Sequence, residues 1–354
     1  MASAGRSFGD ADVAAVYLVH GTFCGNDPLG VLTELSRRAP ATAERLRRWL
    51  KAAVDAIIGE TGNYTAAFAE RMEKGLAVGA GRPLPVRLFN WSSQNNHIAR
   101  ADGAVRLIDE LARFAEAGGP TGDSDSLPSR IQIWTHSHGG NVLALVTNLL
   151  GSDPGDRADF FHAARTFYHR RSGAVDMPAW ERVENLLHDA GHPLRRFALD
   201  IVNYGMPIRY GWETAGFGKL LHITHHRPIV KRPAYLAPWP PRLHRIIRGT
   251  DGDFIQQLGI AGTNLAPLPL AVRTFLADWR LDRYLERELT PRWLLQRLPL
   301  GMRVPEDGAT LLVDYADPDR FLLRHLAGHA PYTRSRWLPL HCELVAQELY
   351  GRST

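Results

Sequence analysis

Six short apolar runs recur from one end of the 354-residue chain to the other, and helical patterns fill the stretches between them. The runs are Val13–Val19 (VAAVYLV), Val86–Trp91 (VRLFNW), Ile131–Trp134 (IQIW), Phe197–Asn203 (FALDIVN), Lys219–Thr224 (KLLHIT) and Thr310–Tyr315 (TLLVDY). Rich in β-branched residues and mostly apolar, they read as strands, the first of them buried on both faces. Strand followed by helix, repeated, leads to parallel pairing with crossover helices. The expected fold class is therefore α/β, a mainly parallel central sheet flanked by helices. The helices carry the matching period. Leu46, Leu50, Val54 and Ile57 or Ile58 share a face within Val31–Gly75, and Ala104, Leu107, Leu111 and Phe114 recur within Ala99–Ala117. Asn141–Leu150 is apolar on nearly every side, which places it at the centre of a domain. Pro339–Tyr350 is a last helix.

Two stretches interrupt this rhythm. Residues 151–195 are polar, aromatic and helical in pattern, with Phe160, Phe161, Phe167 and Trp180. Residues 262–305 include a basic helical stretch. We read both as helical insertions forming a cap on a single domain that spans 1–354. Hydrophobic residues at 45% and charged residues at 22% exclude a disordered or fibrous chain. Two cysteines, Cys24 and Cys342, exclude a disulfide framework and a Cys-rich metal site. The formal charge is 42 − 37 = +5. Its arginines are scattered among acids, so no nucleic-acid partner is expected. Neither a signal h-region nor a spanning apolar run is present, so the default compartment is the cytoplasm, with export lacking a cleaved signal left open.

The chemistry concentrates at Ile131-Gln-Ile-Trp-Thr-His-Ser137-His-Gly-Gly-Asn. A buried strand ends in Thr135-His136-Ser137-His138-Gly139 and a buried helix begins at once. This is the arrangement of a nucleophile elbow: the serine takes a strained turn that lifts its hydroxyl above the strand ends, over a helix N-terminus. Gly139 meets the small-residue pattern. Thr135 stands where a glycine is usual, and its Cβ crowds the turn.

Val16-Tyr-Leu-Val-His20-Gly21-Thr22-Phe23 is a second strand ending in His-Gly. With this pair of motifs the chain resembles the α/β-hydrolase family, in particular its bacterial lipases and esterases. The resemblance implies that the N–H of Thr22, or of Phe23 in a shifted register, forms half of an oxyanion hole, and that the N–H of His138 forms the other half. Acyl transfer needs two such fixed donors aimed at one oxygen. The family order of nucleophile, acid and base implies a histidine after the last strand. His325, His329 and His341 follow it. His329, in the loop Gly328-His329-Ala330-Pro331-Tyr332, is the expected base. The acid should follow a strand between the elbow and this histidine, and it is expected in Arg248-Gly-Thr-Asp251-Gly-Asp253-Phe-Ile, after Leu243–Ile247 read as that strand. Asp253 directly precedes the apolar pair and ranks first. Asp251 is the alternative and Asp314 a third.

Phe23, Trp91 and Asn95 are candidate substrate contacts, together with Arg100. The stretch Phe89–Arg100 ends a strand beside the expected catalytic face, although capping the next helix is the commoner use of such a sequence. His222-Ile-Thr-His225-His226 has imidazoles but no obvious acidic partner, so no metal site is assigned. Gly75, Gly79 and Gly81 follow a helix, which is wrong for dinucleotide binding. No cofactor is expected. The basic stretch 271–298 carries its own acids and reads as a salt-bridged surface helix before a lipid or nucleic-acid contact. The expected function is a serine hydrolase cleaving carboxylic esters, lipase- or esterase-like, with a small-molecule or lipid ester as partner and peripheral membrane contact compatible with it. Alternatives are a phospholipase-type antibacterial effector and a hydrolase-fold protein that binds without catalysis.

Overall fold

The computed structural model describes residues 1–117, 128–170, 172–189, 191–226, 228–233, 236, 239–249, 252–260, 264–285, 296, 298, 307–315 and 321–351. Its centre is a six-stranded, all-parallel sheet: β1 (Val13–Val19), β2 (Val86–Phe89), β3 (Ser129–His136), β4 (Phe197–Tyr204), β5 (Lys219–His225) and β6 (Ala309–Val313). The spatial order is β2-β1-β3-β4-β5-β6. Because β1 and β3 are parallel neighbours, the loops that follow them leave the same end of the sheet, and the order switches direction between these two strands. That end is where a ligand-binding crevice forms in such sheets.

Period-two burial explains the two layers. Ile131 and Ile133 of β3, with Leu199 and Ile201 of β4, face α5 (His97–Glu116) and α6 (Gly139–Gly151). Trp134, Val202 and Tyr204 face the opposite layer, built from α1 (Ala2–Asp10), α4 (Ala66–Ala80) and a C-terminal helix, α12 (Leu338–Tyr350). Gln132, buried on that second face, donates to Tyr350 and accepts from Trp134 Nε1 at 2.7 Å, so its amide is satisfied inside the core. Strand β3 runs two residues beyond the apolar run because Thr135 and His136 continue the pairing with Asn203 and Tyr204.

Residues 2–10 form a helix, of which Ala4, Gly5 and Phe8 are buried. Three expectations change. Gly75 and Gly79 lie inside α4, which packs against that helix. Leu243–Arg248 is a short helix (α9) with no buried residue, not a strand leading to the acid. The aromatic residues of the first insertion also have a different use. Phe160, Phe161, Phe167 and Trp180 pack ring against ring, mostly edge to face, in α7 (Pro154–Tyr168) and α8 (Pro178–His188), which join the α5–α6 layer. They fill a core. Of the second insertion, α11 (Val272–Leu285) packs on α7 and α5, while residues 286–295, 297 and 299–306 lie outside the described part. Arg273 is tied to Asp176, Thr166 O and His169 O, so this arginine is spent inside the molecule. Among the described residues no helix is long and apolar enough to cross a membrane.

Buried imidazoles give the fold a pH dependence. Burial pushes His20 and His341 from 6.5 down to about 3, and His222 to about 4. Between those values and 6.5 the unfolded chain binds protons that the folded chain refuses. Their contribution is complete above 6.5 and is lost as pH falls, by about 1.4 kcal/mol per pH unit for each group. Thermal unfolding should therefore show a steep fall in Tm between about pH 6.5 and 4. A Tm that stays level across that window would mean these rings are not held neutral.

Candidate active site

Strand β3 ends at His136 and α6 begins at Gly139, which leaves Ser137 to make the turn. Its φ is +54°, in the left-handed region that a side chain disfavours. Such a conformation costs about 1 to 3 kcal/mol and persists only where surrounding bonds impose it. Here Ser137 N–H donates to Tyr204 O at 2.9 Å, and Ser137 O accepts from Gly140 N–H at 3.0 Å. Thr135, the departure from the usual glycine, is accommodated sideways. It is buried and its hydroxyl donates to Asn203 Oδ1 at 2.6 Å, on the strand beside it.

The loop after β1 comes up against this turn. A Cβ on Gly21 would stand 2.7 Å from Ser137 Cβ, so the backbone contact requires glycine. Among the described residues the N–H groups of Thr22 and His138 have no hydrogen-bond partner. Phe23 is committed elsewhere: its N–H donates to Ser93 O at 3.1 Å, so Thr22 is the residue whose donor is open. The Phe23 ring is 52% exposed and stands at the surface of the same loop. Trp91 and Asn95 do not serve as expected. The Trp91 indole is buried, stacks on His20 and donates to His20 O at 2.8 Å, so it braces the loop from beneath. Asn95 Oδ1 accepts from the buried Arg100 guanidinium at 2.9 Å, and Asn95 O accepts from Leu265 N–H. Arg100 is itself held by Tyr210 and Asn264. Asn96 caps α5 by accepting from Ala99 N–H. The commoner reading of that stretch is the one observed.

On the other side of the turn stand the acid and base candidates. His329 Nδ1 lies 2.6 Å from Asp253 Oδ2, and both side chains are buried. An ionised carboxylate only accepts, so Nδ1 carries the hydrogen and the Nε2 lone pair is open. Among the described residues Nε2 is buried without a hydrogen-bond partner, and Ser137 Oγ makes no hydrogen bond to it. Such contacts are often loose until substrate draws nucleophile and base together. The pieces are adjacent through β4. Tyr204 O receives Ser137 N–H, and a Cβ on the next residue, Gly205, would stand 2.7 Å from Asp253 Oδ2. Asp251 lies outside the described residues. Asp314 faces His225, 3.9 Å from its Nε2, and not His329. His325 Nε2 bonds Ile247 O at 2.7 Å and His341 Nε2 bonds Tyr315 OH at 2.7 Å. Each keeps an Nδ1 without a partner among the described residues, and neither ring is paired with a carboxylate there as His329 is.

Three residues organise this pair without having been given a role from sequence. His225, at the end of β5, accepts Asp253 N–H at its carbonyl (2.9 Å), donates its own N–H to the Tyr332 oxygen (2.7 Å), and holds Gly328 O through Nδ1 (2.9 Å). With its oxygen accepting from the backbone, Tyr332 donates to Asp253 Oδ2 at 3.0 Å. Gln256 N–H donates to Asp253 Oδ1 at 2.8 Å. Both carboxylate oxygens are therefore fixed before His329 is counted. The signals were present in sequence, Tyr332 in the loop of His329 and His225 at a strand end. Only their contacts give them meaning.

The two histidines flanking Ser137 are buried and held neutral. His136 Nε2 donates to His329 O at 3.2 Å, with the two rings 4.4 Å apart. Burial, then the nearby His329, pushes His136 well below its ordinary value. His138 Nδ1 accepts from Asn141 Nδ2 at 3.1 Å, and burial, reinforced by the Arg100 and Arg209 charges, lowers it likewise. His222 is engaged by Asn203 and Asp307 O. No group of three His, Cys, Asp or Glu among the described residues is placed to hold a metal. No protein-family model, curated protein or solved structure matches the chain. What the site does must be argued from its geometry.

Proposed function

We propose that the protein is a serine hydrolase of α/β-hydrolase type, cleaving carboxylic esters through an acyl-enzyme on Ser137. The observation that carries this reading is the buried Asp253–His329 contact at 2.6 Å, beside a serine held at φ +54° at a strand–helix turn. In the proposed reaction His329 Nε2 takes the Ser137 proton as Oγ attacks the ester carbonyl. The N–H groups of Thr22 and His138 receive the charge that develops on its oxygen. The imidazolium then protonates the leaving alcohol. Water, deprotonated by the same nitrogen, releases the acid and restores the serine. Asp253 holds the Nδ1–H tautomer and offsets the imidazolium charge.

Asp253→Asn tests the arrangement. An amide at this position turns an NH2 toward Nδ1 or loses the bond, and either presents the wrong tautomer to Ser137. Turnover of a soluble p-nitrophenyl ester should fall on the order of 10⁴-fold. Asp251→Asn should change it less than about threefold. Equal losses in both variants, or none in either, overturn the assignment of the acid. Should a folded wild type neither hydrolyse esters nor react with a fluorophosphonate, the non-catalytic binding reading takes its place.

A further inference from the structure

Between β5 and Asp253 the chain makes an excursion, residues 227–250, that the catalytic argument leaves unused. It contains six Lys and Arg and no Asp or Glu. None of its described residues is buried. Val230 is 84% exposed, Leu243 70%, Trp239 46% and Ile247 44%. Arg232, Arg242 and Arg248 are exposed beside them. Water is a poor environment for this combination. The apolar side chains gain nothing from it, and the cations have no acid of their own segment to pair with. Contrast α11, which carries Asp278 and Asp282 of its own and whose Arg273 is tied to Asp176.

We propose that this excursion docks the protein on an anionic lipid surface. The aliphatic side chains enter the boundary between headgroups and acyl chains, while the arginines meet lipid phosphates. Charge complementarity favours an anionic partner, and the exposed Val230, Leu243 and Ile247 favour lipid over nucleic acid, which rewards stacking aromatics and not aliphatics. The position adds a consequence. Ile247 O accepts from His325 Nε2 at 2.7 Å, and a Cβ on Gly249 would stand 3.2 Å from Gly328 N. The docking element is thus fastened to the loop that carries His329. Phe321 and Leu322, 61% and 41% exposed, extend the apolar face from the neighbouring turn. A surface bound here lies alongside the proposed site.

The inference does not depend on the serine chemistry, and its test avoids it. Ser137→Ala protein is sedimented with phosphatidylcholine vesicles, with and without phosphatidylglycerol. Binding is expected only with the anionic lipid and should weaken with salt. In the same background, Arg232→Ala with Arg242→Ala and Arg248→Ala should lower the affinity about a hundredfold. Val230→Asp with Leu243→Asp, at sites exposed enough to leave folding intact, should lower it about tenfold or more. No binding to anionic vesicles overturns the proposal. So does binding that the aspartate pair leaves unchanged and that polyglutamate or DNA competes away, because an acidic macromolecule is then the partner. With Ser137 intact, both sets of variants should hydrolyse a soluble ester as wild type does, which keeps failure of this proposal distinct from failure of the catalytic one.

Discussion

Ser137→Ala should reduce ester turnover on the order of 10⁶-fold and abolish labelling by a fluorophosphonate, while the protein stays folded. The loss follows from position. Ser137 is the residue at the turn, in contact with the Gly21 loop and bonded through its backbone to the end of β4. Removing Oγ takes away the atom that forms the acyl-enzyme and leaves the oxyanion donors of Thr22 and His138 with nothing to stabilise. The backbone supplies an internal control. Alanine keeps the left-handed strain at φ +54°, so Tm should hardly move. Ser137→Gly should be equally inactive and more stable by about 1 kcal/mol, because glycine adopts this conformation without a Cβ clash. If Ser137→Ala retains more than about a tenth of the turnover, another group is the nucleophile and the proposed mechanism is wrong.

His329→Ala should cost turnover about as much, on the order of 10⁵- to 10⁶-fold, for a different reason. The serine hydroxyl is a weak nucleophile without a base, and among the described residues of the last loops His329 is the imidazole that has a carboxylate on Nδ1 and an open Nε2. This variant also acts on stability. Asp253 loses one of its donors while remaining buried, which should cost about 1 to 3 kcal/mol. Tyr332 and Gln256 N–H still hold the carboxylate, so the protein should fold. Added imidazole can enter the space left by the ring and should restore part of the turnover, as a fold defect would not allow. His325→Ala and His341→Ala should stay within about threefold of wild type. Full activity in His329→Ala with loss in either of these would move the base to another loop.

The candidate nucleophile could be read from local pattern because a strained strand–helix turn is a local device. Its cues, an apolar strand, a small residue and a buried helix, fall within about a dozen positions. The candidate acid was less legible. Asp253 and Asp251 differ by two positions in a Gly-rich turn, and only the apolar pair that follows Asp253 ranked it first. What selects Asp253 is a hydrogen bond from its N–H to His225 O, across the whole excursion 227–250. The same excursion defeated the expectation of a strand at Leu243–Ile247. An apolar run can be an exposed helix when the sheet position beside it is already filled, here by β5 and β6. Trp91 shows the converse error. An aromatic residue at a strand end beside the site is as well suited to bracing a loop as to meeting a substrate, and its Nε1 bond to His20 O gives it to the loop.

By itself the sequence determined the class of fold, the parallel sheet and the place of Ser137 in it, because apolar periodicity and the strand–helix junction are written over short distances. Only the tertiary structure decided which carboxylate meets His329, that Thr22 and not Phe23 has the open N–H, and that Tyr332 and His225 hold the acid. Those choices are made by contacts between loops that leave the sheet at the ends of different strands. Such contacts have no period and no fixed spacing along the chain, and their energies arise only once the strands stand side by side.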